Sequence, residues 1–166
     1  MNLTTLALLV LTPLLVWRVY SRLKSMMQRQ RSILSRHHTG IGVFAALIAV
    51  PASELANDLP ALAWLAVGCA AGIGYAIWGL RLTRFELTDE GCFFRPNARL
   101  GIAVAMLFVA RVLFLGFEMY ANQGSSLPNP KFTDSPLTLL SLGLLGGYFG
   151  SYSAGLLRWR LRLRKT

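Results

Sequence analysis

The chain has 166 residues, of which 54% are hydrophobic, and its mean hydropathy of +0.50 is too high for an ordinary soluble domain. Its 17 Lys and Arg outnumber 7 Asp and Glu and give a net charge of +10. These cations flank apolar runs, and no nucleic-acid-binding signature accompanies them. Composition therefore excludes a soluble globular domain and argues against nucleic acid as a partner.

Five apolar segments follow one another along the chain. Two of them, Leu59–Leu80 and Ser135–Leu157, hold more than twenty residues without a charge, enough to cross about 30 Å of hydrocarbon. The pattern predicts an all-α membrane protein, a single polytopic domain over residues 1–166 that forms a bundle of five transmembrane helices. The predicted spans are residues 2–20, 39–54, 59–80, 100–120 and 136–157.

The first segment carries its positive charges after the apolar core, the reverse of a cleavable signal peptide. It is therefore predicted to be a retained helix with an outside N-terminus, which Pro13 can kink. Residues 18–36 then place apolar side chains at helical spacing between cations. This predicts an amphipathic helix in the headgroup region, or an extension of the first helix into the cytoplasm.

The second segment, Thr39–Ser53, is the shortest, and Pro51 lies near its end, so a re-entrant half-span is an alternative. The distribution of Lys and Arg favours a full crossing, because fifteen of the seventeen then lie on the cytoplasmic side. The sequence thus predicts a multi-pass protein of the bacterial inner membrane with a cytoplasmic C-terminus. Six of these cations are expected to contact anionic lipid headgroups: Arg18, Arg22, Lys24, Arg158, Arg160 and Arg162.

The loop between the third and fourth helices, residues 81–99, contains two β-prone runs around the turn sequence Thr88-Asp-Glu-Gly91. This spacing predicts a short cytoplasmic β-hairpin, with Gly91 suited to a left-handed turn position. A two-stranded hairpin is marginal alone, so it should pack on the bundle or on a partner.

Arg111 lies in the middle of the fourth segment, where a charge is costly and normally faces the bundle interior with a partner. Glu118 lies two turns further on the same helix face, about 10 Å away along the axis. Tyr75 and Tyr148 are predicted at similar depth and could contribute hydroxyls. The group is interpreted either as a polar pocket for a proton, ion or anionic headgroup, or as a buried ion pair that locks the helices.

The fifth segment carries small residues at every fourth position, and the third repeats the pattern. Such stripes let helix backbones approach closely in lipid. They predict packing within the chain, or contact with a second copy or another membrane protein. The stripe residues are Gly143, Gly147, Ser151 and Gly155, with Gly68 and Gly72 on the third segment.

The sequence offers no catalytic, metal or cofactor site. Cys69 and Cys92 are predicted at different depths and form no CxxC motif. His37 and His38 are adjacent and are the only histidines, so one monomer cannot ligate a haem from two spans. Motifs typical of hydrolases, metalloproteases or nucleotide-binding enzymes are lacking, which favours a protein that is not an enzyme.

Three short segments resemble the CcdC-like family of small bacterial integral membrane proteins: RFEL at 84–87, EGCFFRPN at 90–97 and LFVAR at 107–111. The resemblance covers about thirty residues, and it implies the same size, number of spans and bacterial inner membrane. The family name points to cytochrome c maturation, but this chain lacks the cysteine pair that thiol redox chemistry needs. The leading hypothesis is a non-enzymatic accessory or assembly subunit. The alternative is a small carrier or lipid-handling protein that uses Arg111 and Glu118.

Overall fold

The computed structural model describes residues 3–26, 30–31, 34–88, 91–122 and 131–163. Within these ranges the chain is mostly helical, as predicted, with five helices and one small sheet. The helices are α1 (Leu3–Met26), α2 (Leu34–Glu54), α3 (Leu59–Arg81), α4 (Ala98–Ala121) and α5 (Pro136–Leu163). The strands are β1 (Gln30–Arg31), β2 (Arg84–Thr88) and β3 (Gly91–Arg95).

Two of the described helical segments, Leu59–Arg81 and Arg99–Ala121, are long and apolar enough to cross a membrane. The apolar part of α2, His38–Glu54, is shorter. The whole of α2 nevertheless has 21 residues and starts at Leu34, five positions before the predicted span. At about 1.5 Å per residue it is as long as a membrane-crossing helix.

Helices α3 and α5 form the closely packed centre of the bundle and run in the same direction. Gly68 lies against the carbonyl of Leu140, and Gly72 lies against that of Leu144. Further along both helices, Gly155 lies against the side chain of Leu80. Residue numbers therefore rise together across the whole interface.

The neighbouring helices run in the opposite direction. On α2, Ile48 lies against Gly146 and Phe44 against Gly150, so its numbers fall as those of α5 rise. On α4, Val104 shares a buried cluster with Tyr152, whereas Arg111 reaches Thr138 near the start of α5. Helix α1 packs on α4, and Tyr20 and Lys24 near its end lie by Arg99 near the start of α4, so these two helices also run in opposite directions. Successive helices thus alternate in direction.

The predicted hairpin is confirmed, and it packs on the helices. Strands β2 and β3 pair antiparallel with Phe85 opposite Phe94. Phe94 is only 6% exposed and belongs to a buried cluster with residues of α3, α4 and α5. The ring of Phe85 lies 4.4 Å from that of Trp159 on α5. The turn residues 89 and 90 fall outside the described residues.

The segment after the first span differs in part from the prediction. α1 continues to Met26, so the extension of the first helix is correct as far as that residue. The amphipathic helix does not continue to residue 36, because Gln30 and Arg31 form strand β1 and pair with Phe94 and Phe93 of β3. The sheet therefore has three strands in the order β1-β3-β2. Pairing over two residues carries no periodic signal that could have predicted β1.

Candidate functional site

Arg111 of α4 binds the start of α5. Its Nε donates a hydrogen bond to Oγ1 of Thr138 at 3.0 Å, and its Nη2 donates to Oγ of Ser135 at 2.6 Å. The guanidinium carbon also lies 5.2 Å from the centre of the Phe114 ring, a cation–π distance. Among the residues that the structure describes, its partners are hydroxyls and a ring, not a carboxylate.

The two hydroxyls are available because α5 begins at this point. The carbonyl of Ser135 accepts from the backbone N–H groups of Thr138 and Leu139 and so starts the helix. Thr138 is 0% exposed, and its carbonyl accepts a hydrogen bond from the buried Ser141 hydroxyl at 2.9 Å. Arg111 lies near the middle of α4, ten residues before the end of that helix. Its long side chain places the charge at the start of α5.

The structure does not bring the other predicted polar residues to Arg111. Glu118 is half-buried two turns further along α4. Tyr75 is 45% exposed on α3 and lies beside Trp78. Tyr148 is buried ten residues beyond Thr138 on α5, about 15 Å away along the helix. Predicted depth placed the two tyrosines beside Arg111, whereas Tyr75 is on an exposed face of α3 and Tyr148 is further along α5.

A second polar contact, missed in the sequence, joins α5 to the short link between α3 and β2. The Tyr152 hydroxyl lies 2.7 Å from Oγ1 of Thr83, and both residues are buried. Thr83 Oγ1 donates its one hydrogen to the carbonyl of Gly79 at 2.8 Å, so Tyr152 is the donor in the contact between the hydroxyls. The rings of Tyr148 and Tyr152 stack 5.9 Å apart. One signal was available, namely two tyrosines at i and i+4 on one helix face.

The glycine stripes lie inside the molecule. A Cβ on Gly72 would be 2.5 Å from the Leu144 carbonyl oxygen, and a Cβ on Gly147 would be 2.5 Å from that of Cys69. Gly68 and Gly143 contact helix backbone equally closely. These four glycines therefore pack against helices of their own chain, which is the first of the two predictions for the stripe. Gly155 meets a Leu80 side chain, and Ser151 is half-buried.

The two ends of the bundle differ in charge. The end that carries the sheet also carries Arg18, Arg22 and Lys24 of α1, Arg99 of α4, and Arg158, Arg160 and Arg162 of α5. At the opposite end, a cavity of about 370 Å³ between α2, α3 and α5 is lined by Glu54, Asp58 and Asp134, among others. Asp58 accepts from the Ala61 N–H and Asp134 from the Lys131 N–H, so these two carboxylates cap local backbone.

The chain matches the profile of the CcdC protein family over residues 3–166. It belongs to that family. The match extends far beyond the thirty residues that suggested the resemblance and includes all five helices. No curated protein and no solved structure matches the chain.

The described polar contacts of this CcdC family member join α5 to neighbouring elements. No three His, Cys, Asp or Glu side chains within the described ranges lie close enough to hold a metal ion. Cys69 is a free, half-buried cysteine, and its backbone lies against Gly143 and Gly147. Arg111 ties α5 to α4, and the Tyr152–Thr83 pair ties α5 to the link between α3 and β2.

Proposed function

We propose that this protein is a multi-pass accessory or assembly subunit of the bacterial inner membrane without catalytic chemistry of its own. The observation that carries the proposal is the exposure of large apolar side chains all around a closely packed centre. Phe117 is 65% exposed, Val67 55% and Val43 57%, on three different helices. Apolar surface on this scale requires lipid or protein as its surroundings.

The alternating helix directions support five crossings with the N-terminus outside. Helices α1, α3 and α5 run toward the sheet, and α2 and α4 run away from it. The concentration of Lys and Arg at the sheet end supports a cytoplasmic location for that end, because cytoplasmic loops of membrane proteins are rich in these residues. The C-terminal residues of α5 then lie inside the cell.

Reporter fusions test the topology. A reporter active only in the cytoplasm should be active after Leu163 and after Arg95, and inactive after Asn57. Activity after Asn57 together with loss of activity after Leu163 would contradict the proposal. A fusion after Met26, expected to be active, serves as the control for the first crossing.

Site-specific photo-crosslinking tests the accessory role. A crosslinker at Phe117, on the exposed face of α4, should give a discrete product of protein mass in cells. The matched control is Val104, which is 5% exposed on the same helix and should give none. The mass of the product distinguishes a second copy from another membrane protein. If exposed positions on all five helices give lipid adducts only, the accessory role is wrong.

The contacts of Arg111 favour a second candidate, a small carrier or lipid-handling protein. Its charge is held by two hydroxyls and a ring, which leaves it able to attract an anionic group, with Glu118 as a further polar residue on the same face. Under this function, Arg111→Lys keeps the positive charge and should retain part of the transport or lipid-handling activity in cells. Arg111→Leu removes the charge and should abolish that activity. Equal activity of the two variants would exclude the carrier function.

A further inference from the structure

A cleft of about 450 Å³ separates α1 from α4 at the sheet end of the bundle. The described residues that line it are Tyr20 and Lys24 from α1, and Arg99, Ile102, Ala103 and Met106 from α4. Its volume lies within the roughly 300–1,000 Å³ typical of small-molecule sites. It differs from the Arg111 site, which lies further along α4 and reaches the start of α5.

Along the helix axes, the charged residues of the cleft lie at one end and its apolar residues lie further in. Tyr20 and Lys24 are one turn apart on one face of α1, and Lys24 lies in the last turn of that helix. Arg99 lies in the first turn of α4, where the Asn97 side chain accepts from its backbone N–H. Met106 lies seven residues further along α4, about 10 Å from Arg99 along the axis. The cleft thus has a cationic mouth and an apolar wall behind it.

An anionic phospholipid fits this arrangement better than any purely polar or purely apolar molecule. Its phosphate would lie between Lys24 and Arg99, and the start of an acyl chain would lie along Ile102, Ala103 and Met106. No carboxylate is among the described residues that line the cleft, so nothing there competes for the two cations. A zwitterionic lipid would place a further positive charge beside them.

We infer that the cleft between α1 and α4 is a binding site for one anionic phospholipid of the cytoplasmic leaflet. The inference rests on the proposed membrane topology, because only then does the cationic mouth lie at headgroup depth. It is more specific than the general headgroup contact of surface cations, since it assigns one lipid to one pair of helices.

Native mass spectrometry of the full chain in mild detergent tests the site. Added dioleoyl-phosphatidylglycerol should give a saturable 1:1 adduct, which dioleoyl-phosphatidylcholine should not. Lys24→Gln with Arg99→Gln should weaken this adduct roughly 30-fold, because each of the two cations contributes separately to the attraction of the anionic lipid. The matched control, Arg81→Gln with Arg95→Gln, removes the same charge from exposed positions at the same end and should leave the adduct intact.

A charge-neutral variant separates the cleft from the general positive charge. Ala103→Phe should fill the cleft and lower the adduct, whereas Ala110→Phe, two turns further on α4, should not. Equal loss in both charge variants, equal binding of both lipids, or binding of inorganic phosphate in place of the lipid would overturn the inference. These outcomes are independent of the reporter fusions, so a wrong topology and a wrong lipid site give different results.

Discussion

Nη2 of Arg111 lies 2.6 Å from Oγ of Ser135, so a charge in the middle of one helix is held by the first turn of another. The two residues are 24 positions apart, on either side of the connection between α4 and α5. A contact to Thr138 one turn away adds a second hydrogen bond to the same guanidinium. Together they fix how far α4 and α5 can slide along each other.

A double-mutant cycle measures this contact. Thr138→Val keeps the shape of a 0% exposed residue and removes its hydroxyl, and Arg111→Leu removes the donor. We expect a coupling of about 1 kcal/mol, because interhelical hydrogen bonds in membrane proteins average about 0.6 and reach about 1.7 kcal/mol. Reversible unfolding in mixed detergent micelles provides the free energies.

The control cycle pairs Arg111→Leu with Thr83→Val. Thr83 bonds to Tyr152 and Gly79 and has no partner in common with Arg111. The two changes should therefore add, to within about 0.5 kcal/mol. Additivity in the first cycle as well would mean that the Arg111–Thr138 bond contributes no stability.

The glycines of α3 provide a second prediction. Gly72→Ala places a methyl group 2.5 Å from the Leu144 carbonyl oxygen, so the two helices must separate, and we expect a loss of about 1–3 kcal/mol. Gly74, two residues away, has nothing within 4 Å of an added Cβ. Gly74→Ala should stabilise the helix by about 0.5–1 kcal/mol. Thermal unfolding in detergent gives both values, and equal effects would contradict the parallel packing of α3 on α5.

Much of the fold could be predicted because its helices correspond to long apolar runs in the sequence. The bounds of α3, the start of α5 and the hairpin between α3 and α4 follow from such local patterns, whereas α5 continues six residues beyond its predicted end to Leu163. Strand β1 could not be predicted, since Gln30 and Arg31 become a strand only by pairing with β3. Tertiary contact determines that element, and its two residues carry no pattern of their own.

The buried hydroxyl pair gives a third prediction, in which two conservative changes differ. Thr83→Val leaves the Tyr152 hydroxyl without its acceptor, and an unsatisfied buried donor costs about 1–3 kcal/mol. Tyr152→Phe removes that donor, while Thr83 keeps its bond to Gly79, so the cost should be about 0.5–1.5 kcal/mol. Unfolding by detergent should rank Thr83→Val as the more destabilised variant. The reverse order would mean that the threonine is the donor between the two hydroxyls.

The hairpin gives a fourth prediction. Phe94→Ala removes a ring that is 6% exposed and joins β3 to the helices, so it should cost about 3–5 kcal/mol. Phe117→Ala removes a ring that is 65% exposed and is proposed to face lipid, so its effect on stability should be small. Proteolysis and thermal unfolding of the purified variants measure both. Similar losses in the two variants would show that the sheet contributes little to the bundle.

The candidate site was predictable in its residue and not in its partners. Arg111 could be identified because a charge in the middle of an apolar helix is costly and normally has a polar partner. Its acceptors could not be identified, because Ser135 and Thr138 are ordinary polar residues whose position depends on where α5 begins against α4. The spacing of Glu118 and Arg111 puts them on one face of α4. The guanidinium instead donates its hydrogen bonds to hydroxyls at the start of α5.

The pairing of α3 with α5 also sets the order in which the molecule can be completed during synthesis. The glycine face of α3 leaves the ribosome before α4 and α5 exist, and chains are made at about 5–20 residues per second. For several seconds that face has no partner within its own chain. The bundle therefore closes from its centre only when α5 arrives, and a nascent chain halted before residue 136 would present Gly68 and Gly72 to any small-residue helix nearby.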